Sequence, residues 1–215
     1  MKKLLLLLTA FVVLPGCQSA YYAAAEQLGY AKRDILASRV ESARDAQVDA
    51  KEEITDALTE FRKVVNVDGG DLETRYTSLA AQLEDSEQAA DAVHGRVRDV
   101  EDVAEALFKE WNDELAQYSS ADLRRRSEQQ LRQTRARYEQ MIGAMKRAEG
   151  KLEPALQPLR DQVLFLKHNL NARAVAGLKG EVVTVDRQVN QLVAELDRAI
   201  AEANRFIAEL EQDGG

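Results

Sequence analysis

The sequence predicts an all-α protein, an elongated antiparallel helical bundle or coiled coil of about four long helices. Apolar residues recur at alternating steps of three and four over long stretches, which is the heptad pattern of packed helices. The composition agrees, because 31% of the residues are charged and only 3 of the 215 are proline. Short segments of turn-forming residues separate the heptad stretches. Since short connections join antiparallel neighbours, we expect the helices to pack side by side.

The first two predicted helices are joined by a glycine turn. Apolar residues between Leu36 and Val64 keep heptad steps if Gln47 is accepted at a core position. Asp68-Gly69-Gly70-Asp71 then ends the first helix with glycines and supplies an aspartate that can cap the second. The second helix has the most regular repeat, from Leu72 to Trp111, in which Ser86 is the polar member.

The third predicted helix follows Ser119-Ser120-Ala121-Asp122, and its heptad repeat begins at Leu131. The repeat takes an extra four-residue step where Pro154 and Pro158 occur. Each proline lacks an amide hydrogen and crowds the carbonyl group four residues earlier. We therefore expect a kink, or a full break, between Gly150 and Pro158.

The fourth predicted helix follows the connection 169–180 and has a repeat from Leu178 to Leu210. A second apolar stripe, formed by Val193, Ile200 and Ile207, widens its face and indicates packing against more than one neighbour. A helix of about 45 residues is roughly 68 Å long. The bundle is therefore expected to be a rod.

Charge favours the pairing of the second and third helices. Residues 84–114 contain eleven acidic and three basic side chains, whereas residues 122–147 contain eight basic and three acidic ones. If the chain folds back at Ser119-Ser120, these two stretches lie side by side. We therefore expect the basic run to serve mostly as the ion-pairing partner of the second helix.

The N-terminal apolar run from Leu4 to Leu14 indicates a secretory signal peptide. It follows two lysines and has about half of the roughly 20 apolar residues that a membrane-spanning helix needs. Leu14-Pro15-Gly16-Cys17 resembles the lipobox of bacterial lipoproteins, in which the cysteine is lipidated and becomes the new N-terminus. The sequence thus predicts a signal peptide at 1–16, a lipidated N-terminus and tether at 17–22, a helical bundle domain at 23–211 and a tail at 212–215.

A lipid on Cys17 would attach the protein to a membrane. Residue 18 is Gln, not the Asp that in bacterial lipoproteins commonly signals retention at the inner membrane. We therefore expect an outer-membrane lipoprotein that faces the periplasm. Cys17 is the only cysteine, so the chain can form no intramolecular disulfide.

Charge and motifs argue against several function classes. The formal net charge of −8 disfavours nucleic-acid binding, which requires clustered Lys and Arg. Neither His94 nor His168 follows a glutamate at the spacing that a di-iron bundle uses. The sequence also lacks a P-loop, a Gly-x-Ser-x-Gly elbow and a His/Cys metal cluster. We therefore predict a protein that is not an enzyme and has no cofactor and no metal site.

Three stretches resemble a known family. They are FRKVVNVDGGDLETRY (61–76), DVEDVAEALFKEWNDEL (99–115) and LRDQVLFLKHNLNARAVAGLKGE (159–181). They are similar to a proteobacterial family catalogued as domain of unknown function 2959, and the likeness spans nearly the whole chain after the signal peptide. The resemblance implies a helical envelope lipoprotein with no established reaction, cofactor or catalytic residues.

The expected function is that of a non-enzymatic, lipid-anchored scaffold or adaptor, with a protein partner in the envelope. The alternative is an envelope protein that binds lipid or a polyanion through its arginine-rich helix, and a third possibility is a cryptic enzyme. The predicted topology returns the 119–122 turn to the membrane side, with Arg124, Arg125 and Arg126 beside it. These arginines either contact phospholipid phosphates or are simply solvated. The 171–180 junction lies at the far end, where we expect a partner.

Overall fold

The computed structural model describes residues 32–66 and 71–212. Outside them lie the predicted signal peptide, the tether with Cys17, residues 23–31 of the predicted bundle, residues 67–70 and the last three residues of the tail. The described chain forms five α-helices: α1 (Lys32–Val65), α2 (Leu72–Glu114), α3 (Ala121–His168), α4 (Ala172–Leu178) and α5 (Val182–Gln212). A 3₁₀ turn at Leu115–Gln117 extends α2. These residues contain no β-strand, and the all-α prediction is confirmed.

The four long helices form an antiparallel bundle in which each packs against two others. α1 packs against α2 and α5, and α3 packs against the same two helices. Ion pairs show the direction of α5 relative to α1, because Lys51 pairs with Asp197 whereas Arg62, further along α1, pairs with the earlier residue Asp186. The chain therefore runs up, down, up and down around the bundle, as the heptad repeats and short connections predict.

The bundle has two ends. The proximal end carries the start of α1 at Lys32, the connection 115–120 and the end of α5 at Gln212. The distal end carries the end of α1, the start of α2 and the segment 169–181, which contains α4. The longest helix, α3, has 48 residues, and at 1.5 Å per residue it is about 72 Å long.

The heptad residues form a core along the length of the bundle. The predicted core positions of α2 from Leu79 to Ala104 are buried, as are those of α5 from Val185 to Leu210. Two polar residues of these repeats are buried with them. Ser86 Oγ lies 2.8 Å from the carbonyl oxygen of Gln82, which satisfies its hydroxyl. Gln47 is 0% exposed, and neither polar atom of its amide has a hydrogen-bond partner within the described chain.

The two prolines of α3 do not break the helix, so the full break given as the alternative to a kink is wrong. α3 continues from Ala121 to His168 with Pro154 and Pro158 inside it. A proline in a helix interior costs about 3 kcal/mol. The same segment buries apolar side chains on its inner face, namely Leu152, Ala155, Leu156 and Leu159. Since a fully buried large apolar side chain contributes about 1.5–3 kcal/mol, this packing offsets the cost and keeps the segment helical.

The connection between α3 and α5 contains a short helix, α4, that the heptad pattern does not reveal. Asn171 begins it, because its side-chain oxygen accepts a hydrogen bond from the Ala174 amide at 3.0 Å. Val175 and Leu178 of this helix are buried and belong to the main core. α4 has 7 residues, which is too short for a periodic signal.

Candidate functional site

The proximal tip is a hairpin formed by the end of α2 and the start of α3. Ser120 caps α3, since its side chain accepts a hydrogen bond from the Leu123 amide at 3.4 Å. Trp111 Nε1 donates a hydrogen bond to Ser127 Oγ at 2.8 Å, which ties α2 to the second turn of α3. These contacts fix the part of α3 that carries the arginine run.

Arg124, Arg125 and Arg126 are exposed on this hairpin, with side-chain exposures of 54, 71 and 77%. Each has an acidic partner on its own helix. Arg124 Nε lies 3.0 Å from Glu128 Oε1. Arg125 Nη2 and Arg126 Nε lie 3.1 and 3.0 Å from the two carboxylate oxygens of Asp122. Exposed pairs of this kind contribute only about 0–1 kcal/mol to stability, but they reduce the positive potential that the arginines present to solvent.

The expectation that the basic run pairs mostly with the second helix is therefore wrong for these three arginines. Further along α3 it holds only in part: Lys146 Nζ lies 2.7 Å from Glu101 Oε1 of α2 and the Arg135 guanidinium lies 5.1 Å from the ring centroid of Phe108, whereas Arg147 pairs with Glu195 of α5. Arg137 points the other way and pairs with a glutamate of α5 at 3.2 Å. Side chains around a helix face several neighbours, so the net charge of a stretch does not specify its partner.

An open groove of about 390 Å³ lies along the proximal hairpin between α2 and α3. Its charged lining consists of Arg124, Glu128, Arg132 and Arg135. Three of these four side chains already have an electrostatic partner, because Glu128 pairs with Arg124 and Arg135 stacks on Phe108. The groove therefore offers little uncompensated charge to a ligand.

Polar clusters on the side of the bundle connect α2 to α3. His94 Nδ1 lies 2.7 Å from Glu149 Oε1. Arg160 donates to Glu87 of α2 at 2.7 Å and to Glu153 of its own helix at 2.9 Å, and this bond lowers the pKa of Glu153. His94, Glu87 and Glu153 line an open groove of about 240 Å³. In residues 32–66 and 71–212, no group of three or more His, Cys, Asp or Glu side chains is placed to hold a metal ion.

At the distal end, asparagine side chains cap the helices. Asn169 donates from its backbone amide to the Leu166 carbonyl and from Nδ2 to the Phe165 carbonyl, both at 3.0 Å. Asn171 accepts the amide hydrogen of Ala174 at the start of α4. These hydrogen bonds satisfy the carbonyls of Phe165 and Leu166 at the end of α3 and one amide at the start of α4.

Four basic side chains surround these caps, and all are exposed: Lys167, His168, Arg173 and Lys179. None of the four forms an ion pair or a side-chain hydrogen bond in the part of the chain that the structure describes. Residues 164–183 contain a single acidic residue, Glu181. Residues 164–183 therefore carry a net positive charge in a chain whose net charge is −8, while the start of α2 at the same end carries Asp71 and Glu73.

Large apolar side chains are exposed at the same end. Leu164, Phe165, Leu170 and Val183 have exposed fractions of 59, 44, 39 and 68%. They make up four of the seven large hydrophobic residues that the described chain leaves exposed, so the apolar exposure is concentrated here. The heptad repeat predicts Leu170 in the core, but α3 ends at His168. Leu164 and Phe165 fall between the core positions of the repeat, and this sequence signal could have identified the surface.

A family model matches most of the chain. A family model described as a protein of unknown function, DUF2959, matches residues 21–210. The chain belongs to this family. The DUF2959 match covers the long helices up to the last two residues of α5, so both ends of the bundle lie within the family region. No curated protein and no solved structure matches the sequence.

Among the described helices, none combines the length and the apolar character that crossing a membrane would require.

Proposed function

We propose that this protein is a non-enzymatic, lipid-anchored scaffold or adaptor of the cell envelope, attached to the outer membrane and facing the periplasm. The observation that carries the proposal is the rod itself. An antiparallel bundle about 72 Å long presents two different surfaces at its two ends. The described chain begins at the proximal end, at Lys32. A lipid on Cys17 would therefore hold that end at the membrane and leave the distal end to meet other envelope components.

The sides of the bundle support a structural role. Their charged residues pair across neighbouring helices, as Lys51 does with Asp197 at 2.5 Å and Arg62 with Asp186 at 2.9 Å. The grooves between the helices are open and lined largely by charged and small side chains. Small-molecule sites are usually concave and mostly apolar, with a few convergent polar groups. A rod whose side chains hold its own helices together is better suited to spacing than to catalysis.

The alternative function, binding of lipid or a polyanion through Arg124, Arg125 and Arg126, has a weaker physical basis. Asp122 and Glu128 pair with all three guanidinium groups. A phosphate would have to displace these carboxylates, or bind beside them against their negative charge.

Palmitate labelling tests the anchor. Wild-type protein and a Cys17→Ser variant are expressed in a bacterial host with labelled palmitate, and Ser19→Ala serves as a control that keeps the cysteine. Wild type and the control should incorporate the label and float with membranes. Cys17→Ser should remain an unlabelled precursor of higher mass. Equal labelling of all three proteins would show that Cys17 is not the lipidation site.

Small-angle X-ray scattering tests the rod. Residues 18–215, expressed without the signal peptide, should have a radius of gyration well above the roughly 16–17 Å expected for a compact globule of this length. A value in that compact range would contradict the spacer role that the scaffold proposal requires.

A further inference from the structure

We propose that the distal end docks on an anionic lipid surface. The docking surface consists of the exposed apolar residues Leu164, Phe165 and Leu170 together with the exposed cations around α4. The inference builds on the proposed function, in which the opposite end is anchored, and it assigns the class of partner that the rod meets.

Charge distribution is the first argument. Two connecting segments of equal length lie at the tips of the bundle, residues 112–131 at the proximal end and residues 164–183 at the distal end, where the start of α2 also carries Asp71 and Glu73. Each contains three Lys or Arg side chains, but the proximal segment has four acidic residues and the distal segment has one. The proximal arginines are paired, whereas the distal cations have no described ion-pair partner. Electrostatic attraction of an anionic surface is therefore stronger at residues 164–183 than at residues 112–131.

Exposed apolar area is the second argument. Leu164 and Phe165 are 59% and 44% exposed in the last turns of α3, and the exposed Lys167 lies two residues after Phe165. Aromatic and leucine side chains enter the boundary between headgroups and acyl chains, while Lys and Arg extend toward the phosphates. Large apolar residues next to unpaired cations are the combination that peripheral membrane surfaces use.

The same charge disfavours a second copy of this chain as the occupant. Two distal ends that met through Leu164 and Phe165 would bring their unpaired cations together, and like charges in contact repel. A membrane that contains anionic lipid instead supplies many phosphates, and the distal cations can reach them in any orientation of the bundle about its long axis. With the proximal end anchored, docking of the distal end would hold two lipid surfaces about 70 Å apart.

A vesicle-capture experiment with the full-length protein tests the proposal. The protein is reconstituted into phosphatidylcholine vesicles, and flotation reports attachment through the N-terminal segment. Fluorescent vesicles with or without phosphatidylglycerol are then added, and their capture is measured at rising salt concentration. If the protein does not float with the first vesicles, the anchor fails, and direct flotation with the phosphatidylglycerol vesicles still tests the distal end.

Two triple variants remove the same charge from the two ends: Lys167→Gln/Arg173→Gln/Lys179→Gln and Arg124→Gln/Arg125→Gln/Arg126→Gln. A basic residue near an anionic surface contributes about 1 kcal/mol, or about fivefold in affinity. The distal triple variant should therefore weaken capture about 100-fold, and the proximal control should leave it unchanged. Wild-type capture should require phosphatidylglycerol and fall as salt rises.

A double variant, Leu164→Gln/Phe165→Gln, tests the apolar contribution at unchanged charge. It should weaken capture and make the remaining capture more sensitive to salt, because only the electrostatic part is left. Both residues are exposed, so circular dichroism should show a folded bundle.

Three results would overturn the proposal. The first is that wild type captures no phosphatidylglycerol vesicles, as expected if the distal partner is an acidic protein. The second is that both triple variants lose capture equally, because attraction would then follow overall charge. The third is that the distal triple and double variants capture vesicles as well as wild type does.

Discussion

The two ends of the bundle contain equal numbers of Lys and Arg in their terminal segments, yet they present different surfaces. At the proximal end, Asp122 and Glu128 stand three or four residues from the arginines and pair with them. At the distal end, Lys167 and Arg173 have no acid at such a spacing on α3 or α4. The comparison shows that the local position of acidic residues, rather than the number of arginines, decides whether a basic run is available to a partner.

The two ends also differ in the packing of their large side chains. Near the proximal end, Tyr138 meets Phe108 and Phe206 edge to face, with ring centroids 5.4 and 6.4 Å apart. At the distal end, Phe165 and Val183 are exposed. Exposed large apolar side chains are thus more numerous at the distal end, although Leu123 is exposed at the proximal end as well and Leu178 is buried at the distal end.

The largest effect should come from removing one of the proximal aromatic residues. Phe206 is 2% exposed, and Phe206→Ala should lower the free energy of unfolding by about 3–5 kcal/mol because it leaves a cavity among aromatic neighbours. The matched change at the distal end is Val183→Ala, at a residue that is 68% exposed. It should change the free energy of unfolding by no more than about 0.5 kcal/mol. Urea unfolding followed by circular dichroism measures the unfolding free energy of both variants. Similar losses of stability would contradict the assignment of Phe206 to the core and of Val183 to the surface.

The extent of the core could be predicted from the sequence, because it depends on residue spacing. The seam of α2 from Leu79 to Ala104 and the seam of α5 from Val185 to Leu210 are buried as their heptad steps require. Helix periodicity is local, so one sequence carries enough information to identify the face of a helix that is buried.

The candidate surfaces were harder to predict, because they depend on which acids lie nearest in the folded chain. The sequence indicates Arg124, Arg125 and Arg126, but Asp122 forms pairs with two of them that a net-charge argument overlooks. The distal surface exists because α3 ends at His168 and leaves Leu170 outside the core. That end point depends on the asparagine caps and on α4, for which the heptad pattern gives no signal.

In the middle of the rod, a single substitution should raise stability instead of lowering it. Gln47 lies near the centre of α1, buried and without a partner for its amide in the described chain. An unsatisfied buried polar group costs about 1–3 kcal/mol, so Gln47→Leu should stabilise the protein by an amount of that order. Gln88→Leu, at an exposed position of α2, is the control and should be nearly neutral. Destabilisation by Gln47→Leu would indicate that the amide hydrogen-bonds in solution, for example to a buried water.

The caps at the two ends provide a smaller test. Asn171 caps α4 through a hydrogen bond of 3.0 Å, whereas Ser120 caps α3 through a longer one of 3.4 Å. Asn171→Ala should lower the free energy of unfolding by about 1 kcal/mol and Ser120→Ala by about 0.5 kcal/mol, because the longer hydrogen bond of Ser120 contributes less. Amide hydrogen exchange should show faster exchange in α4 for the first variant. If α4 exchanges as slowly in Asn171→Ala as in wild type, packing of Val175 and Leu178 holds the helix without its cap.

The smallest effect concerns alkaline pH at the proximal aromatic cluster. Burial, reinforced by the nearby carboxylates of Glu101, Asp102, Glu105 and Glu139, raises the pKa of Tyr138 to about 12. Below about pH 10, the ordinary pKa of tyrosine, its hydroxyl is protonated in both the folded and the unfolded chain, so it adds no pH dependence. Between about pH 10 and 12 only the unfolded chain releases the proton, and stability must therefore fall as pH rises.

Tyr138→Phe should flatten this alkaline decline of unfolding free energy without abolishing it. The pKa of Lys146 is raised by its hydrogen bond to Glu101, and the stabilisation from this pair is likewise lost as pH rises through the folded pKa of the lysine. Since Tyr138 is only half-buried, solvent screening keeps its contribution to the alkaline loss of stability modest. Tyr118→Phe, at an exposed residue of the proximal connection, provides the comparison. An alkaline decline that is equally steep in Tyr138→Phe and wild type would place the tyrosine hydroxyl in water and remove one of the features that distinguish the proximal half of the bundle from the distal end.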